Sequence, residues 1–439
     1  MDSQTVNIAG VTEVPDGQSR LAARVKSLPD SVSTEAKSRF ERMQNTAVIG
    51  SGAMGRCIAI ALLNVGKQVL LIDSHPESLA LAERFISGYF ASQVKKGRLD
   101  DAQVHLLKSQ ITYQQTWDGL DEVQLVVEAV PERMDLKQQI MRQLEAVVAV
   151  DTVLATNTST LDLDAIAGAI EHSERVVGTH FFIPAHITKL LELVPAIQTS
   201  LDTLELVKAM ALAMRKVFVV AGNCDGFIGN RLFDRFHQEA MYLIEEGASP
   251  GQVDRVLESW GMAIGPFRAL DMVGNDIPWS VRIDRAKSNP DLIQPRICDA
   301  ICEEGRYGQK TGSGWYRYEE GSRQPHDSEE TVNLMERISS ELGLVRRDIS
   351  DNEILERSLL ALINEGSAIV REGFAQDQID IDLVYVNGYG FPALMGGPMA
   401  LKDALGAEVV CDRVNHYASI AQYGARLWKP DAALQEEAK

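Results

Sequence analysis

Cysteine is scarce in this chain of 439 residues: there are five, Cys57, Cys224, Cys298, Cys302 and Cys411. So sparse and odd a set argues against a disulfide framework and fits a reducing compartment. Cys298 and Cys302 stand one helical turn apart with no further ligands grouped near them, so they read as helix packing and no metal is expected. Long apolar runs are lacking too, and none reaches the length of a membrane span. The N-terminus has no basic-then-apolar secretory pattern, and the final Glu436-Glu437-Ala438-Lys439 carries no receptor-read address, so a cytoplasmic setting is expected. Basic residues fall short of acidic ones, 43 Lys and Arg against 62 Asp and Glu, for a net charge of −19. That deficit argues against non-specific binding to nucleic acid or anionic membranes, and a polyanionic ligand would need a local basic patch. At 45% hydrophobic and 24% charged the remainder is ordinary globular material, long enough for two to four domains.

What is present is a strand, a glycine-rich turn and an acid in sequence. Residues 46–55 read Thr-Ala-Val-Ile-Gly50-Ser-Gly52-Ala53-Met54-Gly55, and Asp73 closes a second apolar run, Gln68 to Ile72. Three glycines let the backbone turn tightly and approach a pyrophosphate at the start of the next helix, where free N–H groups and the helix dipole stabilise the anion. An acid after the second strand accepts hydrogen bonds from both ribose hydroxyls and repels a 2′-phosphate, which favours NAD over NADP.

Strand-like runs at 46–50, 68–72, 125–130, 152–156, 175–182, 189–194 and 217–222 alternate with amphipathic stretches such as 53–66, 76–95, 134–149 and 203–215. The alternation predicts an α/β Rossmann-type domain with a mainly parallel sheet. Before it lies a polar extension with a helix-like stretch, Ser33 to Met43; after Asn223 helical periodicity dominates. The helical part repeats: Glu239-Ala240, Glu246-Gly247 and Gln252-Val253-Asp254 match Glu365-Gly366, Glu372-Gly373 and Gln378-Ile379-Asp380 at one constant offset, on which Pro266 meets Pro392. This predicts two duplicated all-α domains. The expected division is 1–42 (extension), 43–223 (nucleotide-binding), 224–322 (first helical copy) and 323–439 (second, structural copy), with a charged linker at 319–329.

Candidate catalysts belong at the sheet's carboxyl edge. His180 ends the strand-like run 175–182, and Glu192 lies inside the next apolar run between Leu191 and Leu193. A carboxylate there is costly without a partner, and the histidine is the obvious one: His180 as base, Glu192 fixing its tautomer. From the residues alone, a satisfied core histidine and a solvent-facing Glu192 on an edge strand remain open.

The stretch Val176 to Val194 resembles the signature of the L-3-hydroxyacyl-CoA dehydrogenase family. So do Ala155-Thr-Asn157-Thr-Ser159-Thr-Leu161, Asp225-Gly-Phe-Ile-Gly-Asn230-Arg231-Leu232 and Gly305-Arg-Tyr-Gly-Gln-Lys310-Thr-Gly-Ser-Gly-Trp-Tyr316. The second helical copy, with Val386-Asn-Gly-Tyr-Gly-Phe-Pro392 and Gly396-Gly-Pro-Met399, resembles the tail of multifunctional β-oxidation enzymes, the peroxisomal type especially. The resemblance implies NAD-dependent oxidation of a 3-hydroxyacyl-CoA in fatty-acid β-oxidation and other lipid metabolism, with His180 as base and Glu192 its partner. It implies that Ser159 and Asn230 hold the substrate hydroxyl and thioester side, and that Glu132, Lys137 and Asn157 lie near the cofactor. Without the family, Glu132 and Lys137 read as a solvated helix start. Lys95, Lys96 and Arg98 follow the helix after Asp73, where the family binds CoA, although a solvated basic turn is the plainer reading; His186 reads as a rim residue. Two departures stand out: Ile183, where the family carries Asn or Ser, and Thr188 in place of a common Met. In the second copy Asn230 and Arg231 fall on Glu356 and Arg357, so that copy lacks the substrate-binding amide. The duplicated copy takes a partner's place within one chain, predicting a monomer with an internal pseudo-dimer, or a homodimer. About forty residues precede the nucleotide-binding domain, too few for a hydratase domain, so no hydratase activity is expected. The alternatives are the same chemistry on a specialised acyl-CoA or carrier-bound acyl chain, or a silent NAD-binding scaffold.

Overall fold

The computed structural model describes residues 8–439; the first seven residues of the 1–42 extension lie outside the described residues. The chain forms two compact units. One comprises Arg20–Asn230 with Glu372–Gly388 and holds an eight-stranded sheet. Its strands are β1 (Asn45–Ile49), β2 (Gln68–Ile72), β3 (Ile111–Gln114), β4 (Leu125–Glu128), β5 (Val153–Thr156), β6 (Val176–Phe181), β7 (Leu190–Pro195) and β8 (Val217–Val220). Their order is β3-β2-β1-β4-β5-β6-β7-β8, and every neighbouring pair is parallel except β6 and β7. The α/β, mainly parallel expectation is met. The strand missing from it is β3, four residues of which only Ile111 is buried, too short and polar to register as an apolar run. β4 and β5 are buried at every residue, as strands covered on both faces must be. The order reverses between β1 and β4, so a crevice opens beyond their carboxyl ends, the usual ligand position in such sheets.

Short local signals fix the elements around the sheet. Ser33 caps the helix Thr34–Arg42 by accepting the Ala36 N–H, and this helix packs on the helix Leu201–Ala213. The ammonium of Lys67 closes the same helix at its other end, donating to the Phe40 and Met43 carbonyls at 2.6 Å each. The helix Gln378–Gly388 packs on β7 and β8.

The second unit comprises Arg231–Arg371, Tyr389–Lys439 and the described part of Met1–Ser19, and its regular elements are helices. Ser249 and Ser328 cap the helices Pro250–Trp260 and Glu329–Glu341. The glycine-rich motif 305–316 is explained here. Asp271 accepts the N–H groups of Trp315 (2.9 Å) and Tyr316 (3.0 Å) and the Tyr318 hydroxyl (3.0 Å). A Cβ on Gly314 would lie 2.0 Å from its carboxylate.

Candidate active site

The turn after β1 needs its glycines for different reasons. Gly50 has φ +97°, and a Cβ there would lie 2.6 Å from the Ala129 carbonyl oxygen; one on Gly55 would lie 1.8 Å from that of Gly50. Gly52, the N-cap of the helix Ala53–Leu63, faces open space with nothing within 4 Å of its Cβ position. Two glycines thus serve the protein's own close packing, and the third leaves the helix start, with Ala53 and Met54 in its first turn, open to an anion. Asp73 stands beside this turn: Oδ2 accepts the Ser51 N–H (2.8 Å) and hydroxyl (2.9 Å), and Oδ1 accepts the His75 N–H (2.9 Å). Burial pushes the Asp73 pKa up, but these hydrogen bonds outweigh it and hold the carboxyl below the usual carboxylate range. An open helix start beside a fixed negative charge fits the pyrophosphate and ribose of NAD.

His180 lies at the same edge. In the antiparallel β6–β7 pair it stands directly opposite Glu192, and its Nδ1 is 2.7 Å from Glu192 Oε2. Glu192 is fully buried, which removes the solvent-facing alternative. Its other oxygen accepts the Gly229 N–H (2.8 Å) and the Ile228 N–H (3.2 Å), where the helix Gly229–Glu246 begins. With Nδ1–H donated to the carboxylate, the lone pair sits on Nε2. That nitrogen makes no protein hydrogen bond among the described residues. The rings of Phe182 and Phe227 flank the imidazole at 4.4 and 5.8 Å between centroids.

Ser159 and Asn230 are brought together: the Asn230 amide donates to the Ser159 carbonyl at 3.2 Å. Glu132 organises the same turn, accepting from the Thr158 hydroxyl (2.6 Å), the Ser159 N–H (2.7 Å) and hydroxyl (3.2 Å) and the Thr160 N–H (3.1 Å). Burial raises its pKa, but the Lys137 charge and these bonds outweigh it and keep the carboxyl below its ordinary range. Lys137 is wholly buried, which corrects the solvated reading: its ammonium lies 2.8 Å from Glu128 Oε1 and 3.4 Å from Glu132 Oε2. Asn157 ties two strands together, its Oδ1 accepting the Phe181 N–H at 2.9 Å. His186 is half-buried, its ring edge-on to Tyr89 at 4.7 Å. Lys95, Lys96 and Arg98 are exposed at the end of the helix Pro76–Lys95 and form no hydrogen bond or ion pair with the other candidate residues. Among the described residues no group of three or more His, Cys, Asp and Glu gathers as a metal site would.

Glu128 escaped the sequence reading. It is fully buried at the end of β4, holding Lys137, the Thr156 hydroxyl (2.5 Å) and the Val130 N–H (2.7 Å). The signal that singled out Glu192, a carboxylate inside an apolar run, was present at Glu128 as well, between Val127 and Ala129. The backbone amides of Ile228 and Gly229 left no such trace, since any residue type supplies an N–H.

The sequence profile described as 3-hydroxyacyl-CoA dehydrogenase, NAD binding domain, matches residues 45–224, and that of the 3-hydroxyacyl-CoA dehydrogenase C-terminal domain matches 226–318. The chain is 40% identical over 393 residues to the peroxisomal bifunctional enzyme of Danio rerio, covering 87% of this chain and 54% of that protein. It is 32% identical over 404 residues to the glyoxysomal fatty acid beta-oxidation multifunctional protein of Brassica napus, covering 90% and 55%. The chain therefore spans about half the length of the curated relatives it matches. Its structure is similar to that of 3-hydroxybutyryl-CoA dehydrogenase from Escherichia coli, with a TM-score of 0.79 and 25% identity over 90% of this chain and 98% of that one. The cytoplasmic expectation is corrected by these relatives, whose names are peroxisomal and glyoxysomal; the missing address signal on which it rested was negative information.

Proposed function

The chain belongs to the 3-hydroxyacyl-CoA dehydrogenase family of NAD-dependent dehydrogenases, and from that premise we propose that it oxidises (S)-3-hydroxyacyl-CoA to 3-ketoacyl-CoA, reversibly, with His180 as general base. The observation that carries this reading is the 2.7 Å contact between His180 Nδ1 and the buried Glu192 carboxylate, at the sheet edge that also bears the glycine turn. Nε2 takes the proton of the 3-hydroxyl, and Glu192 stabilises the imidazolium that results. NAD, when bound, supplies the acceptor for the hydride leaving C3. Ser159 and Asn230 orient the substrate oxygens, and Glu132 holds the Ser159 turn in place. Gly50, Gly52, Ala53, Met54, Gly55 and Asp73 hold the dinucleotide, with Lys137 and Asn157 supporting its surroundings. Lys95, Lys96 and Arg98 are the cations available to CoA phosphates. The names of the relatives support a peroxisomal or glyoxysomal role in fatty-acid β-oxidation.

The reading extends to architecture: residues 224–322 and 323–439 are duplicated helical domains. Arg231 Nε contacts Glu365 Oε1 at 2.6 Å, and Arg357 Nε contacts Glu239 Oε1 at 2.6 Å. The constant sequence offset exchanges these two pairs, arginine for arginine and glutamate for glutamate, which is the reciprocity of an isologous dimer interface. One chain carrying both halves suits a monomer, and a homodimer of such chains is the other form consistent with it. Buried Glu356, held by Arg413 and by the Tyr417 hydroxyl (2.7 Å), leaves the second copy a structural part.

The test follows NADH absorbance with acetoacetyl-CoA and longer 3-ketoacyl-CoAs. His180→Ala is expected to lower kcat at least ~100-fold, the scale of a general base. Undiminished turnover in that variant rejects the role of His180; no turnover of any acyl-CoA by wild type rejects the substrate class.

A further inference from the structure

Lys216 stands immediately before β8 and is only 6% exposed, yet no carboxylate pairs with it among the described residues. Its ammonium donates instead to two main-chain carbonyls, those of Ala185 and Thr188. Both belong to the loop of residues 182–189, which joins the strand of His180 to the strand of Glu192. Ala185 is wholly buried; within the loop the Ile187 and Thr188 N–H groups donate to the Pro184 carbonyl at 2.9 and 3.0 Å, and at its end the Lys189 carbonyl accepts the Val217 N–H at 2.8 Å. Burying an ammonium opposite neutral oxygens is costly, and burial alone pulls the Lys216 pKa down to about 8. A neutral side chain of similar length would avoid that cost but leave the buried Ala185 carbonyl without its donor, so what the lysine achieves is to fix this loop.

The loop presents Ile183 and Ile187, 59% and 67% exposed, and it sets His186 edge-on to Tyr89 and, at 6.4 Å, to Phe85 of the helix Pro76–Lys95. Phe182, against the His180 ring, is its first residue.

We propose that Lys216 is a positioning residue: by holding the carbonyls of Ala185 and Thr188 it keeps the 182–189 loop preformed beside His180, and so governs acyl-CoA binding rather than the chemical step. This rests on the dehydrogenase reading above. A loop already ordered in the free protein spares the ordering entropy that substrate would otherwise have to supply on binding. Because His180 and Glu192 are held by their own strand register and by the Ile228 and Gly229 amides, releasing the loop leaves the base in place.

The experiment compares wild type with Lys216→Met and Lys216→Gln, by amide hydrogen exchange of peptides spanning 182–189 and by steady-state kinetics with acetoacetyl-CoA and NADH. Lys216→Met is expected to speed exchange in 182–189 about tenfold while β6 and β7 keep their protection. KM for acetoacetyl-CoA should rise about tenfold, with kcat within about threefold and KM for NADH within about twofold of wild type, since a few immobilised side chains carry that much binding free energy. Lys216→Gln, which keeps N–H donors at shorter reach, should fall between the two, and it carries the same readouts should the Met variant not fold. Unchanged exchange in the loop, a fall in kcat at constant KM, or loss of protection throughout the sheet overturns the proposal. If wild type turns over no acyl-CoA, the dehydrogenase reading fails, while the exchange comparison still decides whether Lys216 holds the loop.

Discussion

Glu192 divides its two oxygens between two tasks, and a single substitution separates them. Oε2 faces His180 Nδ1, while Oε1 takes the Ile228 and Gly229 amides. In Glu192→Gln the carbonyl oxygen stays with the backbone amides, which puts the NH2 group against Nδ1. Nδ1 must then accept, the ring proton moves to Nε2, and the lone pair that takes the substrate proton is gone. The expected result is a kcat loss on the order of 10²–10⁴ with near-normal KM and a retained melting temperature. A variant that loses activity only by unfolding would argue that the carboxylate is merely structural. Much of this was readable from residue types: an acid in the apolar run Leu190 to Val194 demands a partner, and His180 was at hand. The same rule applied to Glu128 and would have shown that it needs a partner, though not that the partner is the buried Lys137.

At the scale of elements, the strand–turn–helix at 45–63 makes a prediction from its three glycines. Gly55→Ala places a methyl 1.8 Å from the Gly50 carbonyl oxygen, so the turn itself must shift. We expect a loss of stability of about 2 kcal/mol or more, together with failure to bind NAD. Gly52→Ala meets nothing in the protein, so its melting temperature should match wild type while its Kd for NAD rises at least about tenfold, because the methyl takes up space at the open helix start. Thermal unfolding and NAD titration of both variants check this, and equal effects of the two on stability would refute it. Element boundaries were legible where apolar runs were long: β2 was read at its observed limits. β3 was not, since an edge strand with one buried residue obeys its neighbour's hydrogen bonds rather than its own pattern.

For the molecule as a whole, stability against pH reports a buried acid of the helical unit. Glu245 is fully buried, accepting the Ile297 N–H (2.9 Å) and the Tyr423 hydroxyl (3.1 Å), and burial pushes its pKa up to about 7. In the unfolded chain a glutamate titrates near 4.3, at about its model-peptide value. Between those values the native state holds more protons than the unfolded state, so the contribution of Glu245 to stability declines as pH rises from about 4.3 to about 7 and falls no further above that. Glu245→Gln should therefore gain relative to wild type on going from pH 5 to pH 8, by up to roughly 3 kcal/mol. A difference in melting temperature between the two proteins that is the same at both pH values would sink this assignment.

Spacing along the chain was enough to give the dinucleotide turn, its acid and the α/β alternation, because each is a pattern of local backbone geometry and residue chemistry, whereas it named His180 and Glu192 as a candidate pair and left a solvent-facing Glu192 open. The other partners of the buried charges came only from the folded chain. Which amides reach Glu192, which lysine neutralises Glu128 and which ammonium holds the 182–189 loop depend on strands and helix starts becoming neighbours across the sheet. No periodicity encodes such neighbours, since burial, rather than sequence distance, decides that a charge must find a partner and topology decides which one is within reach.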